Sequence, residues 1–144
     1  MRGFVLATLV AACLACDGGP TRPSASHFYV DCVDHVATIP DEWSRHAVGW
    51  TVSFRNTCDY RVVINVAARR FRNGQPIPDF WLEGVLSAPH GECALHFRSE
   101  SECQVSDYGC SPDNDYQLAV SYRACRAEHE SGCEYPDPPT RLSG

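Results

Sequence analysis

The chain reads as an all-β protein: a small antiparallel β-sandwich of about six to seven short strands, stapled by disulfides. Three observations carry that reading. From His27 onward, apolar residues recur with period two rather than the helical repeat of about 3.6, the spacing of a strand that buries one face. The alternating runs are short and parted at regular intervals by turn-forming clusters. Nine cysteines in 144 residues far exceed what a reducing compartment carries in an ordinary domain.

Taken in order, Phe28, Val30 and Cys32 alternate with Tyr29, Asp31 and Val33 as a first strand. Val48, Trp50, Val52 and Phe54 alternate with Gly49, Thr51, Ser53 and Arg55, the clearest strand in the chain. After the turn Asn56-Thr57-Cys58-Asp59, a third strand carries Tyr60, Val62, Ile64, Val66 and Ala68. Arg69-Arg70-Phe71-Arg72 then leads into Asn73-Gly74, a dipeptide suited to the two positive-φ positions of a tight hairpin. Phe80-Trp81-Leu82 opens a strand ending near Leu86, and Cys93, Leu95 and Phe97 line one face of the next. Glu100 to Asp115 is a polar loop, and Tyr116, Leu118, Val120, Tyr122 and Ala124 form the last strand. The expected core is Val48, Trp50, Val52, Phe54, Val62, Ile64, Val66, Leu95, Phe97, Leu118 and Val120. The strand-ending Arg55-Asn56 and the run Leu86-Ser87-Ala88-Pro89-His90-Gly91 loosely resemble immunoglobulin and fibronectin-III type modules, which implies an immunoglobulin-like strand order.

Before this domain lies a leader. Met1-Arg2 is a minimal positive start, and Gly3 to Ala15 is apolar or small throughout. A helix of that length rises about 20 Å, short of a hydrocarbon core of about 30 Å, but it matches the apolar region of a secretion signal. Leu9-Val10-Ala11-Ala12-Cys13-Leu14-Ala15-Cys16 resembles the lipobox of bacterial lipoproteins. The resemblance implies diacylglycerol on a cysteine thiol, cleavage just before that cysteine and acylation of its new amine. Val10-Ala11-Ala12-Cys13 fits the consensus letter for letter, whereas Cys13-Leu14-Ala15-Cys16 places Cys at its aliphatic position. Leader length and the abrupt change to Asp17-Gly18-Gly19-Pro20 favour Cys16, with Cys13 the second candidate. Ala15 also suits a conventional signal peptidase, which would release the chain unanchored. The expected organisation is a signal over residues 1–15, a flexible tether over 16–26, the sandwich over 27–134, and a disordered proline-rich tail over 135–144 carrying Pro136, Pro138 and Pro139.

An exported chain makes the remaining cysteines disulfide candidates. With an immunoglobulin-like strand order assumed, the strand Val48–Phe54 neighbours the strand Cys93–Phe97, which places Cys58 beside Cys93. Cys103 and Cys110 close a local loop, and Cys32 pairs with Cys125 or Cys133, leaving the other free.

Composition narrows function further. The formal charge is −6, and all twelve basic residues are arginines. A mildly acidic chain without a basic stripe is a poor partner for nucleic acid, and the lack of lysine removes Schiff-base chemistry and a phosphate-loop cation. His90-Gly91-Glu92-Cys93-Ala94-Leu95-His96 holds two imidazoles and a thiol. On a strand the histidines share a face that Cys93 does not, so no metal site is expected. Asp31, Asp34 and His35, or Asp41 and Glu42, are acid/base neighbours of the kind any acidic chain contains, and no catalytic residue is assigned. Arg69, Arg70 and Arg72 around Phe71 read as a solvated strand edge that discourages pairing, and Trp43 and Trp81 as either core or exposed anchors. The expectation is a lipid-anchored lipoprotein of the cell envelope with a binding or structural role, no cofactor, and membrane lipid and an envelope protein as partners. The alternatives are a secreted metal-binding or protease-inhibitor module, with Glu100 to Asp115 as the inhibitory loop, and, with least support, a small enzyme.

Overall fold

The structure, a computed structural model, describes residues 28–43, 48–99 and 114–142, with the side chains of Glu42 and Trp43 excepted. Cys13, Cys16, Cys103, Cys110, the tether and most of the Glu100 to Asp115 loop lie outside the described residues. Seven strands form two antiparallel sheets: β1 (Tyr29–Val30), β2 (Val33–Trp43), β3 (Val48–Asn56), β4 (Val62–Arg72), β5 (Gln75–Ser87), β6 (Glu92–Ser99) and β7 (Tyr116–Arg126). One sheet has the order β1-β7-β4-β5 and the other β2-β3-β6. A short 3-10 helix, Ala127–Gly132, follows β7. Among the described residues no helix is long and apolar enough to cross a membrane.

The inner faces follow the period-two reading. Val52 and Phe54 of β3 pack with Val62, Ile64, Val66 and Ala68 of β4 and with Phe97 of β6, all buried. Val48 and Trp50 form a second buried group beside Trp81 and Leu118. Leu95, Leu118 and Val120 are partly buried against this core. Asn73 (φ 51°) and Gly74 (φ 79°) close the β4–β5 hairpin as the dipeptide predicts, both in the left-handed region that Asn and Gly tolerate.

One strand goes beyond the sequence reading, and one expectation gives way. β2 runs eleven residues along β3, although Ile39-Pro40-Asp41 breaks the alternation, and register shifts at His35/Ala37 and Pro40/Glu42 accommodate it. The tail is not disordered through its described part. It crosses the outer face of the four-stranded sheet, where its backbone carbonyls are taken by outward-pointing side chains. Asn65 Nδ2 donates to Cys133 O (2.8 Å), Ser121 Oγ to Asp137 O (2.6 Å) and Arg69 Nη1 to Pro139 O (3.1 Å), and Pro136 is buried. Three prolines leave the segment little conformational entropy to lose on docking.

The disulfide pairing also differs. β3 and β6 are neighbours, with Phe54 opposite Cys93, yet Cys58 bonds Cys32 (Cα–Cα 5.3 Å) and Cys93 is a free thiol. The reason is β2. It pairs with the other edge of β3, sets Val33 opposite Asn56, and lets Thr57 N donate to Cys32 O (2.8 Å), so Cys32 arrives beside Cys58. Cys125 bonds Cys133 (Cα–Cα 5.9 Å) rather than Cys32, because the 3-10 helix turns the chain back within a separation of eight residues.

Candidate functional site

At the end of the sandwich that carries Phe28 lies an open cleft of about 530 Å³. Its walls are Phe28, Tyr29, Val30 and Asp31 from the start of the domain, Tyr60 from the β3–β4 turn, and Arg126, Glu128 and His129 from the end of β7 and the 3-10 helix. A smaller hollow of about 260 Å³ continues it past Arg61 and Ala127.

The two disulfides among the described residues brace these walls. Cys32 follows Asp31 and Cys58 precedes Asp59-Tyr60, so the first bridge ties the Phe28–Asp31 wall to the Tyr60 wall. The second closes the segment 126–132, which holds Arg126, Glu128 and His129. Backbone bonds add to the brace: Ala127 N donates to Arg61 O (3.0 Å), and β1 pairs with β7 at Tyr29–Cys125. Phe28 packs against Gly132, where a Cβ would meet its ring at 3.3 Å, and its ring centroid lies 4.6 Å from that of His129.

The charged groups are arranged around one carboxylate. The Arg126 guanidinium lies 3.8 Å from the Tyr60 ring centroid, a cation–π contact that fixes its plane. Arg126 Nη1 is 3.9 Å and His129 Nε2 3.6 Å from the same atom, Glu128 Oε1. The cleft therefore combines aromatic walls, an oriented guanidinium, an imidazole and two carboxylates, Glu128 and Asp31. That set suits recognition of a small polar group carried on an apolar body.

The residues singled out from sequence fall elsewhere, apart from Asp31 in the cleft wall. His90 sits in a left-handed turn (φ 54°) with Nε2 2.8 Å from Asp59 Oδ1. His96 lies on the outer face of the three-stranded sheet, its Nδ1 3.0 Å from Thr51 Oγ1, whose hydroxyl donates to Asp41. Cys93 is half-buried beside Ser87, and burial pushes its thiol pKa up against the lowering hydrogen bond from Ser87. The structure does not bring His90, Cys93 and His96 together, and among the described residues no three His, Cys, Asp or Glu side chains could hold a metal ion. His35 Nε2 is 2.9 Å from Thr38 Oγ1. The arginine cluster is not a solvated edge, because β4 is an interior strand. Arg70 is buried, lies 4.7 Å from the Trp81 ring and donates to Ser99 Oγ, while Arg69 lies over Phe80. Trp81 packs on Phe97 with ring centroids 5.6 Å apart, which makes it core.

Sequence reasoning missed Tyr60, Arg126, Glu128 and His129. The signal was present in the cysteines, since each of these residues lies within one to four positions of one.

No protein-family model matches the chain, and no curated protein matches it. Among solved structures, a β-glucosidase from Listeria innocua, in complex with gluconolactone, is similar at 13% identity and a TM-score of 0.34. The likeness covers 65% of this chain and 15% of that one. At that level neither activity nor ligand transfers.

Proposed function

We propose that this chain is a lipid-anchored binding protein of the cell envelope, tethered through Cys16, whose recognition site is the cleft between Phe28 and His129. The observation that carries the reading is the convergence of the two disulfides among the described residues on one cleft. Bridges form where the compartment is oxidising, which supports export, and rigid walls lower the entropy a ligand must overcome. Twelve residue steps lead from Cys16 to Phe28. Fully extended they reach about 40 Å, so an anchored cleft would work within that distance of the bilayer, on a ligand or protein partner of the envelope. One acyl chain holds a protein marginally and two or more hold it stably, so the acylated cysteine would decide where it acts.

The test is processing. Mature protein should partition into the detergent phase of a membrane extract, and Cys16→Ser should accumulate as an uncleaved precursor. Normal cleavage and anchoring of that variant, with failure only in Cys13→Ser, would move the anchor upstream. Release of wild-type chain into the soluble phase would end the anchored reading.

A further inference from the structure

Resting on the reading of this cleft as the recognition site, we infer that its ligand is a carboxylate carried on an apolar or aromatic body. Glu128 occupies the carboxylate's place in the free protein.

Three features of the cleft specify that chemistry. The first is the position of Glu128. Its Oε1 stands between Arg126 Nη1 at 3.9 Å and His129 Nε2 at 3.6 Å, close enough to be attracted and too far for a hydrogen bond to either. Its side chain is 66% exposed, so the pairing is well solvated and adds little that a ligand would have to replace. The second is Arg126. Stacking on Tyr60 orients a planar fork of N–H donors, and a planar carboxylate is the anion that takes two of them side by side. The third is the balance of charge. Asp31 and Glu128 already place two carboxylates in the lining against the Arg126 guanidinium and the His129 imidazole. A singly charged anion is tolerated there, whereas a dianion such as phosphate meets repulsion from both. Phe28, Tyr29, Val30 and Tyr60 supply the apolar surface for the rest of the molecule, in a volume that holds a compound of drug size. Binding then proceeds by exchange: the ligand carboxylate closes on Arg126 at hydrogen-bonding distance, and Glu128 swings into solvent.

Such a group occurs on free peptide C-termini and on small aromatic acids, and the experiment separates the two. The full mature protein in detergent is titrated by calorimetry with N-acetylphenylalanine, its neutral primary amide, phenylacetate and inorganic phosphate, while heteronuclear NMR follows Phe28, Tyr60 and Arg126. The acid should bind at least tenfold more tightly than the amide, and Arg126→Gln should lose that preference. Glu128→Gln should bind the acid threefold or more tighter than wild type. A merely structural Glu128 would not give that sign, and this exposed substitution serves even if Arg126→Gln fails to fold. Phenylacetate matching N-acetylphenylalanine identifies a small aromatic acid, and a clear advantage for the acylated amino acid identifies a peptide terminus. Equal binding of acid and amide at the cleft, phosphate binding as tightly as the acid, or an unchanged or weakened Glu128→Gln overturns the carboxylate assignment while leaving the cleft in use. No perturbation of Phe28, Tyr60 or Arg126 by any probe overturns both.

Discussion

Asn56 shows how much one side chain carries in this fold. It is fully buried at the end of β3, and its amide serves three backbone groups at once. Oδ1 accepts from Cys58 N (2.9 Å), while Nδ2 donates to Tyr60 O (3.0 Å) and Ala88 O (2.8 Å). The turn that presents Tyr60 to the cleft is thereby tied to the turn before β6. Asn56→Ala would strand a buried N–H and two carbonyls, at a cost of roughly 2–4 kcal/mol, read as a lower denaturant midpoint with unchanged slope. Asn56→Asp adds a pH test. Its acid form keeps one donor, whereas its carboxylate faces two carbonyls, so the folded state should raise its pKa above the unfolded value of about 3.9. The recovered stability should be present below that unfolded pKa and lost as pH rises through the folded one. Stability of the variant that does not improve on acidification would show the site to be wetter than its burial implies.

At the scale of elements, β4 explains the tail. Its run Val62-Val63-Ile64-Asn65-Val66-Ala67-Ala68 is buried on both faces, which a one-sided sandwich strand is not. The even-numbered residues face the core, and on the outer face Val63 packs with Cys125 and Cys133 while Asn65 donates to Cys133 O. A near-continuous apolar run is the mark of such a strand, but read by alternation β4 has one buried face, and the proline-rich tail looked like a loose end. Deleting residues 135–144 removes the bonds from Ser121 and Arg69 and uncovers that face, so it should cost roughly 1–3 kcal/mol. Amide hydrogen exchange should rise in β4 and β7 before it rises in β3. Uniform exchange across both sheets would mean that the tail lies on the sheet without supporting it.

On the scale of the whole molecule, the two bridges among the described residues have unequal reach. In the chain-entropy picture, closing a separation of 26 residues contributes about 3.5 kcal/mol and closing one of eight about 2.5 kcal/mol. Cys32→Ser with Cys58→Ser should therefore lower stability more than Cys125→Ser with Cys133→Ser. Both pairs should also loosen the cleft, seen as faster exchange at Tyr60 and Ala127. Non-reducing peptide mapping checks the connectivity: Cys32–Cys58 and Cys125–Cys133 as linked peptides, and Cys93 alkylated only after unfolding or at alkaline pH, because burial holds its thiol protonated. A Cys58–Cys93 peptide would contradict the pairing of β2 with β3.

The sequence by itself determined that this is a two-faced β protein, where most of its strands lie and much of its core, although Leu95, Leu118 and Val120 are only partly buried and Val33 and Phe71 join the core unmarked. Val48 to Phe54 and Val62 to Ala68 could bury an apolar face only by alternating, and Asn73-Gly74 could only turn. These are local constraints, written within a few residues of where they act. Cysteine pairing, the docking of the tail and the cleft were decided by tertiary structure alone. Cys58 stands near both Cys32 and Cys93, and the choice turns on which edge of β3 an irregular strand takes. Arg126 and Glu128 meet Tyr60 only because β4, β7 and a six-residue helix end side by side. Such meetings depend on the order of strands across two sheets, and period-two alternation specifies which way a strand faces without specifying its neighbours.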